Sequence, residues 1–164
     1  MGDDIAQEGS PLTYELIDLA EVNLPLLDER LKAALHQYEH EHTRAWSRVV
    51  SSYGGFVFVF PQYNWGYPAP LKNAVDFLYL EWAGKPAGCV TYGTRGGNKG
   101  AAQFREVLNG LHMRALDEDV EIVITDDDLD DSWQLKDLHA TMRPYREQTR
   151  RIDAQMVETL KDTQ

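Results

Sequence analysis

The run Phe-Val-Phe-Val-Phe at 56–60 constrains the fold more than any other stretch of this chain. A strand with apolar residues at every position has two faces to bury. Such strands belong to parallel sheets covered on both sides. Two further apolar runs fit the same role: Ala-Gly-Cys-Val-Thr-Tyr-Gly at 87–93 and Val-Glu-Ile-Val-Ile-Thr at 120–125. Helical spacing separates them. Residues 70–81 form one helix, opened by Pro70, whose fixed φ suits a first turn. Residues 100–113 form another, with Phe104, Val107, Leu108 and Leu111 on one face. Over 134–161, Leu135, Leu138, Met142, Tyr145, Ile152, Met156 and Leu160 make one stripe, interrupted at Pro144. The stripe reads first as a helix covering the sheet and second as a dimer seam. Strand alternating with helix implies right-handed βαβ units and an α/β architecture.

The first third is less regular. Residues 1–11 read as a flexible acidic tail and 12–164 as a single domain. Leu-Thr-Tyr-Glu-Leu-Ile-Asp-Leu at 12–19 suits a strand, and 20–29, with Pro25, a loop. Leu31 to about Tyr53 has helical spacing, with Thr43 as the cap of a second helix and Gly54-Gly55 as the stop.

At 164 residues the chain fits one ordinary domain, and 43% apolar residues provide a core. The net charge of −11 argues against nucleic acid or an anionic membrane as partner, since both demand a basic footprint. One cysteine, Cys89, excludes an internal disulfide and suits a reducing compartment. With no secretion-type leader and no apolar run of bilayer length, the expected setting is the cytoplasm.

In an open α/β sheet, ligands sit beyond the carboxyl ends of the strands. Two loops occupy that place. Pro61-Gln62-Tyr63-Asn64-Trp65-Gly66-Tyr67-Pro68 follows the first apolar run, and Tyr92-Gly93-Thr94-Arg95-Gly96-Gly97-Asn98-Lys99-Gly100 follows the second. Together they offer amides, aromatic faces and glycine N–H groups, a set that suits a flat heteroaromatic ring with hydrogen-bonding edges. The glycine loop matches neither a P-loop nor a dinucleotide-binding fingerprint, and a tight structural turn is its plain alternative.

The same residues resemble the NADPH-dependent FMN reductase family, whose pattern is Pro-Glu-Tyr-Asn, Leu-Lys-Asn-Ala-x-Asp, Trp-x-x-Lys-Pro and Tyr-Gly-x-x-Gly-Gly. Pro61, Tyr63, Asn64, Leu71, Lys72, Asn73, Ala74, Asp76, Trp82, Lys85, Pro86, Tyr92, Gly93, Gly96 and Gly97 stand in that order, with Gln62 in place of Glu. The resemblance spans roughly 12–125 and is most specific over 56–111. It implies a flavodoxin-like three-layer sandwich with a parallel sheet and FMN as cofactor, with NADPH or NADH as co-substrate. FMN would be bound by Pro61, Gln62, Tyr63, Asn64 and Trp65 on one side and Tyr92, Gly93, Thr94, Arg95, Gly96 and Gly97 on the other. It further implies a quinone-like small-molecule acceptor and a homodimer able to pair into a tetramer, with the helix near Pro70 packed on the second subunit. Catalysis would be cofactor-borne, with no catalytic side chain and no metal.

One departure is plain. The family opens with a strand and a Gly-Ser-x-Arg loop around the FMN phosphate, and no such unit stands here. Residues 12–19 correspond to the family's second strand, so the sheet is expected to close up in the order 2-3-4-5, leaving Arg95 and Lys99 as candidate phosphate partners. A start upstream of Met1 and a shortened paralogue both fit this departure. A non-catalytic flavodoxin-like dimer module is therefore the alternative function, and a flavodoxin-type electron shuttle a third.

Other tempting residues read plainly. His36, His40 and His42 suit a solvated helix end, and the nine acids from Asp117 to Asp131 a solvated surface. Cys89 suits the core. Lys72, Asn73 and Asp76 suit caps or cross-links at a dimer contact.

Overall fold

A computed structural model describes residues 9–162. Three strands form a wholly parallel sheet in the order β1-β2-β3: β1 is Phe56–Pro61, β2 Pro86–Gly93 and β3 Arg114–Val123. The helices are α1 (Leu19–Val22), α2 (Glu41–Ser51), α3 (Ala69–Asp76), α4 (Asn98–Gly110), α5 (Leu138–Met142) and α6 (Arg146–Lys161). Short 3-10 turns lie at Ala33–Leu35, Asp126–Asp128 and Arg143–Tyr145.

Two apolar clusters flank the sheet. On one face Phe56, Phe58 and Phe60 meet Trp46, Trp82, Phe104 and Leu108. On the other, Val57, Val90, Leu116, Val120 and Ile122 meet Ile152 and Met156 of α6. From Met142 to Leu160 the C-terminal stripe is thus a sheet cover, with its break at Pro144 inside the last 3-10 turn, whereas Leu138 is exposed and neither it nor Leu135 joins the cluster.

The four-strand order does not form. Residues 12–18 are not a strand, and among the described residues no strand lies on the outer side of β1. That segment crosses from one layer to the other: Leu12 packs with the α6 cluster and Ile17 with the opposite one. Ser10 and Tyr14 hydroxyls hold it by donating to the buried Asp153 carboxylate at 3.0 and 2.9 Å. A chain changing layers cannot keep the period-two ladder that a strand needs. Among the described residues β1 is therefore an edge strand, and Val59 is 43% exposed, whereas Pro86–Thr91 of β2 are all buried. Most of the expected tail, residues 1–8, lies outside the described residues.

Helix boundaries moved for identifiable reasons. α3 stops at Asp76, where the carbonyls of Ala74 and Val75 accept the indole N–H of Trp46 and Trp82 at 2.8 and 3.1 Å. Val75 O also accepts Leu78 N–H at 3.3 Å, the tightened bond of a helix end. Of the two helices expected between Leu31 and Tyr53, the first is only the 3-10 turn Ala33–Leu35, and 36–40 is irregular, with Glu29 accepting the Glu39 and His40 N–H groups. His40, not Thr43, is the cap position of α2, and Thr43 is buried inside the helix. β3 starts earlier than expected and carries a register shift opposite Ala87–Cys89. Arg105 pins that irregularity by donating to Asp119 at 2.8 and 2.9 Å and to the Leu116 carbonyl at 2.8 Å. Asp119 and Glu118, the latter paired with Arg151 at 2.6 Å, are therefore structural partners within the acidic run.

Cys89 is 1% exposed, and burial beside Asp119 pushes its thiol up to about 12, so it is a core residue. No helix among the described residues is long and apolar enough to cross a membrane, and no metal-binding group of His, Cys, Asp and Glu occurs among them.

Candidate functional site: a shelf at the carboxyl ends of β1 and β2

β1 and β2 run in register from Phe56↔Ala87 to Pro61↔Tyr92, so their two following loops leave the sheet side by side. The ladder continues one step further, with Gln62 N–H donating to the Tyr92 carbonyl at 3.1 Å. The first loop then folds on itself. Tyr63 N–H donates to Gly66 O at 3.0 Å and Gly66 N–H to Tyr63 O at 2.9 Å, closing a two-residue turn over Asn64 and Trp65. Both turn residues have positive φ, 46° and 68°. Asn tolerates that conformation; a tryptophan there is strained, and such strain gathers at functional sites. Tyr63 and Trp65 stand 65% and 61% exposed.

The second loop is built on glycines that cannot be replaced without movement. Gly96 and Gly97 have φ of 77° and 91°. A Cβ on Gly97 would lie 2.7 Å from Thr91 Cβ, and one on Gly96 3.0 Å from Glu121 Cβ. Thr91 Oγ1, fully buried, donates to the Gly96 carbonyl at 2.7 Å and fixes the turn. Gly93, by contrast, faces open space: a Cβ there would meet nothing within 4 Å. Gly93 O also accepts from Ile124 N–H at 3.0 Å, tying β3's end to the same loop.

Side chains bind the loops together. Gln62 Oε1 accepts the N–H of Lys99 and Gly100, Gln103 Nε2 donates to Trp65 O, and Lys99 Nζ lies 5.5 Å from the Trp65 ring centre. Burial, with Tyr63 nearby, pushes the Tyr92 hydroxyl above its ordinary value. The residues picked from sequence thus gather at one end of the sheet. Pro61, Gln62 and Tyr92 are half-buried at its rim. Tyr63, Asn64, Trp65, Thr94 and Arg95 are exposed, and Gly96 and Gly97 are buried beneath. Lys99 is exposed, with its ammonium over the Trp65 ring. Gln103 was not foreseen; its only sequence signal was its place one turn after the glycine loop. Two hollows elsewhere, of about 350 Å³ between Val123 and Tyr145 and about 450 Å³ beside His36, Arg44 and Arg48, are separate from this shelf.

The shelf thus combines open space at Gly93 with the exposed aromatic side chains of Tyr63 and Trp65. Of the loop's backbone N–H groups, Gly96 donates to Gly93 O at 3.1 Å, and Lys99 and Gly100 donate to Gln62 Oε1.

Among solved structures the chain resembles FerB, a flavoenzyme NAD(P)H:(acceptor) oxidoreductase from Paracoccus denitrificans. The TM-score is 0.68 at 18% identity, over 94% of this chain and 83% of that one. An oxidoreductase from Corynebacterium diphtheriae matches with TM-score 0.67 at 13% identity, over 98% and 82%. These likenesses show the fold, which is flavodoxin-like. In sequence, the chain is 49% identical over 111 residues to the NAD(P)H-dependent FMN reductase LOT6 of Saccharomyces cerevisiae, covering 64% of this chain and 58% of that protein. It is 45% identical over 101 residues to an NAD(P)H-dependent FMN reductase of Nectria sp, covering 59% and 50%. An NADPH:quinone oxidoreductase of Arabidopsis thaliana is 30% identical over 109 residues, covering 63% and 54%. The chain therefore spans about half the length of the curated relatives it matches. The sequence model of NADPH-dependent FMN reductases matches residues 3–126, and with three quarters of its length inside that match, the chain belongs to the NADPH-dependent FMN reductase family.

Proposed function

We propose that this chain is an NAD(P)H-dependent FMN oxidoreductase serving a quinone-like acceptor, with the flavin ring on the shelf between 61–67 and 92–97. The observation that carries the reading is the convergence of two loops whose backbones are held in left-handed conformations at Asn64, Trp65, Gly96 and Gly97. Bound FMN would supply two-electron redox chemistry between the nicotinamide and the acceptor. The protein's share is positioning. Backbone N–H groups of the glycine loop would face the pyrimidine edge, where negative charge gathers on reduction. Tyr63 and Trp65 would border the ring and the space in which nicotinamide stacks. Arg95, exposed and without an ion pair among the described residues, would be the cation nearest an anionic ligand group.

A homodimer fits the same reading. Asn73 ties the preceding loop to α3, its Oδ1 accepting from Leu27 N–H at 2.9 Å and its Nδ2 donating to Pro25 O at 2.7 Å. This presents Leu26 (85% exposed) and Leu27 beside α3, the helix proposed to meet a second subunit. The proposed setting is the cytoplasm.

Titration of the purified chain with FMN tests the reading. Quenching of flavin fluorescence, a rise in melting temperature and NAD(P)H oxidation coupled to quinone are expected. The open outer side of β1 favours a second reading, a flavin-free dimer module. No quenching and no thermal shift would select it.

A further inference from the structure

Two glutamines join the loops of the shelf through opposite chemistry. Gln62 uses its oxygen: Oε1 accepts from Lys99 N–H at 2.9 Å and Gly100 N–H at 3.0 Å. These are first-turn donors of α4, whose own cap residue, Gly97, offers no side-chain acceptor. Gln103 uses its nitrogen: Nε2 donates to the Trp65 carbonyl at 3.1 Å. Where the two elements touch the fit is tight: a Cβ on Gly100 would lie 3.3 Å from Gly66 O.

We propose that Gln62 and Gln103 are positioning residues that clamp the 61–67 turn onto α4 and set the shape of the shelf before a ligand arrives. The inference rests on the reading of the shelf as the flavin site. Its physical ground is the turn itself. An isolated two-residue hairpin is marginal in water. This one also holds a tryptophan at φ 68°, a conformation that relaxes unless the surroundings enforce it. The clamp supplies three hydrogen bonds from one rigid helix. A turn ordered in the free protein need not be ordered at the expense of binding energy. Gln62 thus acts through α4 and need not touch the ring with its side chain.

The two amides make opposite demands, which gives the test. Gln62→Ala removes an acceptor, while Gln62→Glu keeps one and adds a charge favourable at a helix N-terminus. Gln103→Glu has no donor and sets a carboxylate against the Trp65 carbonyl. Backbone amide exchange of the flavin-free full chain and FMN titration by fluorescence quenching are measured for each variant. Gln62→Ala and Gln103→Glu are expected to speed exchange at 62–66 and 98–101 by about tenfold or more and to leave α6 unchanged. FMN affinity should fall on the order of tenfold in the same two variants. Gln62→Glu should stay within about threefold of the parent in both measurements. Unchanged exchange in Gln62→Ala, or a Gln62→Glu as impaired as the alanine variant, would overturn the clamp. A parent chain that shows the expected exchange pattern yet leaves FMN fluorescence unquenched would instead remove the flavin reading and keep the clamp.

Discussion

Replacing Gly97 by alanine tests the construction of the shelf most sharply. Gly97 has φ 91°, and the added Cβ would stand 2.7 Å from Thr91 Cβ, 2.8 Å from Thr91 Oγ1 and 3.3 Å from Tyr92 N. Thr91 cannot swing aside: it is fully buried in the central strand, and its hydroxyl is bonded to Gly96 O at 2.7 Å. The left-handed backbone costs an alanine about 1–2 kcal/mol. Overpacking a tight site adds about 1–3 kcal/mol. The two together give a loss on the order of 2–5 kcal/mol. With a urea slope of about 2 kcal/mol per molar, the unfolding midpoint should fall by roughly 1–2.5 M. Gly110 provides the control on the same helix. It has no positive φ, and a Cβ there meets nothing within 4 Å, so Gly110→Ala should stabilise by up to about 1 kcal/mol. A Gly97→Ala protein whose midpoint matches the parent would show that the turn is not held against Thr91, and the packing argument for the second loop would fail.

Three further substitutions address the scaffold. Burial alone would raise the Glu81 carboxyl, but hydroxyls of Ser47 and Tyr38 outweigh it and hold the group below the ordinary 4.5. Its contribution is therefore complete above pH 4.5 and disappears as pH falls through the lower folded value, so the parent should lose stability more steeply in acid than Glu81→Gln; parallel urea midpoints across pH 3–7 would refute this. Arg105→Leu strands the largely buried Asp119 carboxylate and the Leu116 carbonyl and should destabilise by about 3 kcal/mol in chemical denaturation. Trp46→Phe keeps most of the packing but leaves the Ala74 carbonyl without its 2.8 Å indole donor; a loss of about 1–2 kcal/mol is expected, and a neutral result would mean the carbonyl finds another donor.

What could be read from sequence was what depends on local periodicity. The apolar runs at 56–60 and 87–93 are strands, the helices after them exist, and the interruption at Pro144 lies where the ring removes an N–H. What could not be read depended on distant partners. Nothing near residue 76 announces that Trp46 and Trp82 take the carbonyls of Ala74 and Val75. Nothing near residue 12 announces that Tyr14 is held by Asp153, 139 positions away, so the apolar pattern of 12–19 passed for a strand. The shelf divides the same way. Its glycines and aromatic residues signalled themselves by type, whereas Gln103 looks like any exposed helical glutamine until its bond to Trp65 is seen.

The position of the shelf follows from the core rather than from the loops. Phe58, Phe60 and Tyr67 all pack on one ring, Phe104, with centroids 5.0, 5.2 and 5.3 Å away. Phe58 and Phe60 share a face because they are two apart on a strand; Tyr67 belongs to the first loop, and Phe104 to the helix that begins at the second. That single ring therefore keys β1, both loops and α4 to one another. A slip of one residue in β1 would send its phenylalanines to the α6 side and Val57 and Val59 toward Phe104. Gln62 would then lie out of step with Tyr92, with which it now continues the ladder. The alternation Phe-Val-Phe-Val-Phe at an exposed edge thus does more than fill a core: it sets the register on which the joining of the two loops depends.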